Sequence, residues 1–256
     1  MAPIQIALLI GFGVGVLVIL ASIIQQMEDK KKATKMRIMH LRTSIRRCSH
    51  LLDNIPSHFM STELHQVLSR YLEFQCKASL ELEDNAAIKK QLDDIQASKK
   101  KSYEPEPHPE GSITLFATPH LALRAKAIIK ELAQFLNSIK GHGEVSSTVC
   151  NRLIDDTKVS YQRADIDYEL HEVLAAEPHQ SIKMTVGMLR NIFGRLGKVN
   201  VDHVVDRQLY EVRSHLHQLV QELDELEEQK KASKDLDEAE TSKDNAPPPP
   251  LPGIDY

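Results

Sequence analysis

The side chains with which this 256-residue chain could hold a metal or move a proton are its 12 histidines, 3 cysteines and 36 acids. Their spacing argues against both. His215 and His217 are two apart, so on a helix they point about 200° away from each other and cannot share an ion. Carboxylate-bridged metal bundles use Glu-x-x-His at i, i+3, a pattern missing from every helix the sequence predicts. Cys48, Cys76 and Cys150 are odd in number, far apart and without C-x-x-C. They read as neither a zinc site nor a disulfide framework, and they fit a reducing compartment. Gly194-Arg195-Leu196-Gly197-Lys198-Val199 ends like a phosphate loop. It lacks a glycine five positions before Gly197, and Val199 stands where a hydroxyl would reach magnesium. H-E-x-x-H and G-x-S-x-G are absent. Asp165, Asp167, Glu169, His171 and Glu172 cluster, but alternating positions splay around a helix, which predicts a solvated face. No catalytic, cofactor-binding or metal-binding residue is expected, and the chain reads as a non-enzyme.

One segment carries a rival reading. His40-Leu41-Arg42-Thr43-Ser44-Ile45 resembles, over six residues, the phosphoacceptor box of sensor histidine kinases, which runs His-Glu-Leu-Arg-Thr-Pro. The resemblance implies a membrane signalling relay in which His40 accepts phosphate on a helical hairpin. The acid after the histidine and the proline are both missing here, and no nucleotide-binding domain follows.

The residues left over suit adhesion. Ile4 to Ile24 is a run of 21 without charge, with only Gln5 and Ser22 polar. That is the length a bilayer crossing needs, and too long for a cleavable leader. No Lys or Arg precedes it, whereas Lys30, Lys31, Lys32, Lys35, Arg37, Arg42, Arg46 and Arg47 follow with no acid among them. The positive-inside rule then predicts a single-pass protein of a bacterial-type inner (plasma) membrane, its body cytoplasmic. Lys30, Lys31, Lys32, Lys35 and Arg37 are the residues expected to face anionic lipid. No aromatic interleaves them, so no nucleic-acid partner is expected. Gly11 and Gly15, four apart, would let two membrane helices approach closely.

The elements that must position these residues are helical. Aromatic residues make up 5% of the chain, Trp is absent and Gly is scarce at ten, which disfavours a large sheet. Ile38, Leu41, Ile45, Cys48, Leu52 and Ile55 step by threes and fours, so the membrane helix is expected to run on as a rod until Pro56. A second helix is expected from Ser61 to Ile95, closing a hairpin. Thr118-Pro119 opens the next helix, Ser146 or Ser147 another, Ser181 a short one and Val201 the last. The last carries the longest seam: Val205, Leu209, Val212, Leu216, Leu219, Leu223 and Leu226. A faint echo links Leu52, Ile55, Leu64 and Leu68 to Leu136, Ile139, Val149 and Leu153, 84 to 85 residues on.

The expected architecture is all-α. Residues 1–3 lie outside the membrane and 4–24 span it. Residues 25–98 form the basic juxtamembrane segment with a helical hairpin or coiled coil, and 99–111 a Pro-rich linker. Residues 112–232 form a four-helix-bundle-like domain with a C-terminal coiled-coil helix, and 233–256 a disordered acidic and Pro-rich tail. In that tail Pro250, Leu251, Pro252, Ile254 and Tyr256 would dock a cytoplasmic or membrane protein as a preformed polyproline-II rod. The function this predicts is a membrane-anchored scaffold or adaptor that self-associates, a homodimer, and recruits a partner.

Overall fold

A computed structural model describes the backbone of residues 3–98, 103–141, 145–200 and 203–244 and the side chains of 22–98, 103–141, 145–200 and 203–233. Seven α-helices and two 3₁₀ turns are the regular elements among these residues, and none is a strand. Among the described residues no helix is long and apolar enough to cross a membrane. The side chains of 4–21, with Gly11 and Gly15, and of the tail residues Pro250, Leu251, Pro252, Ile254 and Tyr256 lie outside that set.

Helix α1 (Pro3–Asn54) is unbroken over 52 residues and ends two before Pro56, as the spacing predicts. The expected second helix is two: α2 (Thr62–Leu80) and α3 (Ala86–Ser98). Ser61 caps α2 by accepting the Leu64 N–H, and the break before α3 is made by Asn85. Its Oδ1 accepts the Ala87 and Ile88 N–H groups at 3.0 and 3.3 Å. Thr118 caps α4 (Pro119–Ile139) through the Leu121 N–H, and proline occupies the first position, where its missing donor costs nothing. Helix α5 (Ser147–Ala176) gives way to a 3₁₀ turn at Pro178. Helix α6 (Ile182–Lys198) runs through Gly194 and Gly197. Helix α7 starts at Asp206 rather than at Val201, and the Asn200 side chain is bonded to its first turn. Its Oδ1 accepts the Val205 N–H at 3.0 Å and its amide bonds Asp206 at 2.6 Å. The helix continues to Asp244, past the boundary expected at 232. Residues 233–244 contain neither Gly nor Pro, the two residues that most disfavour a helix interior.

The chain forms two compact units, each assembled from two stretches: Met1–Glu106 with Ile128–Thr157, and Pro107–Ala127 with Lys158–Tyr256. Helices α4 and α5 therefore each contribute to both. In the first unit Ile45, Cys48 and Leu51 of α1, with Ile55 just past its end, are buried with Leu64, Leu68, Leu72 and Cys76 of α2. Ile88 and Ile95 of α3, Leu132, Phe135, Leu136 and Ile139 of α4, and Cys150 and Leu153 of α5 complete the same core. Tyr71 meets Phe135 edge-on, with centroids 5.4 Å apart. All eight residues of the internal echo lie in or against this cluster. Residues 103–106 are fastened to it: the Thr62 hydroxyl donates to the Tyr103 carbonyl, and His58 Nδ1 lies 2.9 Å from the Glu106 carbonyl.

In the second unit Ile166, Leu170 and Val173 of α5 pack with Val186, Leu189, Ile192 and Leu196 of α6 and Val212 and Leu219 of α7. The α7 seam is consumed here as far as Leu219. Val205, Val212 and Leu219 are buried, Leu209 and Leu216 partly so, Leu223 is half-buried and Leu226 is 40% exposed. Both heptad runs are thus covered largely by the chain's own helices. Residues 107–118 form an irregular strap of this unit, turning at 110–111 and bent through 113–118, held by Asp167.

Candidate functional site

Between Lys30 and Arg46 helix α1 carries a stripe that its own chain does not cover. Lys31, Lys35, Ile38, Arg42 and Arg46 step by 4, 3, 4 and 4, which places them on one face. With Lys30, Thr34, Met39, Thr43 and Glu83 they line an open groove of about 770 Å³. The Thr34 and Thr43 hydroxyls donate to the carbonyls of Lys30 and Met39, so the groove's free donors are its ammonium and guanidinium groups. Arg42 already holds a carboxylate, that of Glu83 in the α2–α3 connection, at 2.6 Å. Among the described residues Lys30, Lys31, Lys35 and Arg46 have no acidic partner. Met39 is 56% exposed beside them. The site has positive charge beside an apolar floor of Ile38 and Met39, a combination whose donors suit carboxylates or phosphates.

Of the five basic residues expected to face lipid, Lys30, Lys31 and Lys35 line this groove, whereas Lys32 and Arg37 are exposed on other faces. Arg42 and Arg46 read in sequence as part of the topology signal alone. Their i, i+4 register with Lys31, Lys35 and Ile38 was the available sign that they extend the same stripe. Glu83 had no such sign, since its place depends on the break between α2 and α3. His40 is exposed on α1, outside the groove.

The acidic cluster of α5 is divided, which corrects its reading as one solvated face. Asp165 and Glu169 form ion pairs with Arg195 of α6, and Asp165 also pairs with Lys126 of α4 at 2.5 Å. The Lys126 ammonium stands 5.6 Å from the ring centres of Tyr161 and Tyr168. Donation of a hydrogen bond to the Asp165 carboxylate raises the Lys126 pKa, so the charge is held. Asp167 has no exposed surface. Its carboxylate accepts the Leu115 N–H, the Phe116 N–H at 3.0 Å and the Gln208 amide at 3.1 Å. Gln208 also donates to the Ile113 carbonyl, and His171 Nε2 lies 3.0 Å from the Phe116 carbonyl. Burial pushes the Asp167 carboxyl above the usual range against the lowering pull of those donors. With its oxygens occupied, this centre fastens a strap. Among the described residues no group of three or more His, Cys, Asp and Glu side chains is placed to hold a metal ion.

No protein-family model matches the chain, and neither a curated protein nor a solved structure does.

Proposed function

We propose that the protein is a single-pass, membrane-anchored cytoplasmic scaffold that self-associates through its helices and recruits a partner protein. The observation that carries this is the continuity of α1. One helix begins at Pro3, runs through the 21-residue apolar segment and delivers the basic stripe directly below it. At 1.5 Å per residue, Lys30 to Lys35 fall about 9–17 Å beyond Ile24, within reach of anionic head groups. Each such charge adds about 1 kcal/mol of attraction near the surface. Gly11 and Gly15 would pack membrane helices of two copies. The segment from Pro250 to Tyr256 would present a polyproline-II ligand with Ile254 and Tyr256 as apolar anchors, at an effective concentration raised by tethering.

The test is fractionation and topology of the full chain in a bacterial host. It is expected to stay with membranes through alkaline carbonate. A reporter active only in the cytoplasm and fused after Tyr256 should work, and one requiring export should not. Release by carbonate, or the reverse reporter pattern, refutes the reading.

A further inference from the structure

Lipid accounts for only the upper half of the groove. Arg42 and Arg46 lie about 27–33 Å along α1 from Ile24, several Debye lengths beyond the head groups, yet they belong to the same uncovered stripe. A feature of opposite charge stands on α7. Residues 222–228 consist of Glu222, Leu223, Asp224, Glu225, Leu226, Glu227 and Glu228: five acids around two leucines. Leu219, one turn earlier, is covered within its own unit, whereas Leu223 is half-buried and Leu226 is 40% exposed.

We infer that the lower groove on α1, built from Met39, Arg42 and Arg46, docks the acidic stretch 222–228 of α7 from a second copy of this chain. The inference rests on the self-association in the proposed function and names its surfaces. Two α7 helices do not suit each other here. With Leu219, Leu223 and Leu226 on the seam, Glu222 and Glu227 occupy the flanking positions, where a second α7 would set carboxylate against carboxylate. The flanks call for a basic helix, and α1 is one. Its exposed face offers Met39 to the two leucines and Arg42 and Arg46 to the two glutamates. Residues 39–46 and 222–228 each span about two helical turns, so the surfaces match in length. Arg42 shows that the site seats a carboxylate, since Glu83 lies on it while both side chains stay nearly half exposed.

The test uses two differently tagged full-length copies in neutral detergent micelles. One carries Met39→Cys and the other Leu226→Cys. The native cysteines are buried and do not compete. Oxidation is expected to give a species bearing both tags. Arg42→Glu with Arg46→Glu in the first copy should lower its yield at least tenfold, and Glu222→Arg with Glu227→Arg in the second should restore it. A yield indifferent to the charge reversal overturns the inference. So does a chain carrying both cysteines that closes on itself as a monomer, or loss of the cross-link on adding anionic lipid at constant ionic strength, which would assign the whole groove to head groups. A full chain that stays monomeric at micromolar concentration removes self-association altogether. A dimer whose cross-link ignores the charges removes only this surface.

Discussion

Asp167→Asn tests the strap in the second unit most directly. The substitution preserves volume but leaves one oxygen where two accepted. Whichever way the new amide turns, one of the Leu115 and Phe116 N–H groups meets an N–H₂ group. A hydrogen bond to a charged acceptor contributes about 1.5–3 kcal/mol, and a buried donor deprived of its acceptor costs about 1–3 kcal/mol. Against this, the variant no longer buries a charge, which offsets part of the loss. A net destabilisation of about 2–3 kcal/mol is expected, lowering the melting temperature by roughly 5–10 °C. The raised carboxyl pKa sets the sign with pH. The folded protein binds the Asp167 proton more tightly than the unfolded chain does. That contribution is fully present below the ordinary carboxyl pKa of about 4 and is lost as pH rises through the raised folded value. The gap between wild type and Asp167→Asn therefore narrows as pH increases. Thermal unfolding followed by circular dichroism, with hydrogen exchange at the Leu115 and Phe116 amides, reads both effects. A melting temperature within about 1 °C of wild type, with unchanged protection at the two amides, would refute the clamp.

Further outcomes follow from single positions. Gly141 has φ +81° and open space around a Cβ, so Gly141→Ala should cost about 1–2 kcal/mol of backbone strain alone and Gly141→Asn less. Gly194 lies inside α6 with equally open space, so Gly194→Ala should instead stabilise by about 0.5–1 kcal/mol in the same denaturation assay. Leu136 is fully buried in the first core, and Leu136→Ala should cost about 2–5 kcal/mol in urea unfolding. Burial pushes the Cys48 thiol up to about 12 and the Cys76 thiol to about 11. Neither should react with a maleimide at pH 7.5 until denaturant is added, and labelling in the native state would contradict their burial.

Punctuation by proline and hydroxyl caps was the most legible layer of the sequence. Pro56 predicted the end of α1 and Thr118-Pro119 the start of α4, because each acts on its own few residues. The break at 81–85 leaves no mark in the sequence, because it contains neither Gly nor Pro and is made by a side-chain cap, Asn85, inside a run that keeps its apolar spacing. Asp167 was indistinguishable from Asp165 and Glu169 in sequence. What separates them is the strap at 113–116, some fifty residues distant, whose N–H groups exist as donors only once the chain has folded. The groove was half legible. Lys30, Lys31 and Lys35 follow from charge and proximity to the apolar run, whereas Arg42 and Arg46 needed helical register, and Glu83 needed the tertiary fold.

The interleaving of the two units orders events on the ribosome. The first core has its α1, α2 and α3 residues by position 106, but its remaining buried residues lie between Ile128 and Thr157. At about 5–20 residues per second the intervening 51 residues (157 − 106) take roughly 3–10 s to be made. Throughout that interval Ile45, Cys48, Leu51 and Leu68 lack the α4 and α5 side chains that later cover them. A nascent chain of this design spends seconds with a sticky half-core, and a chaperone that recognises exposed aliphatic helices has that window in which to engage it.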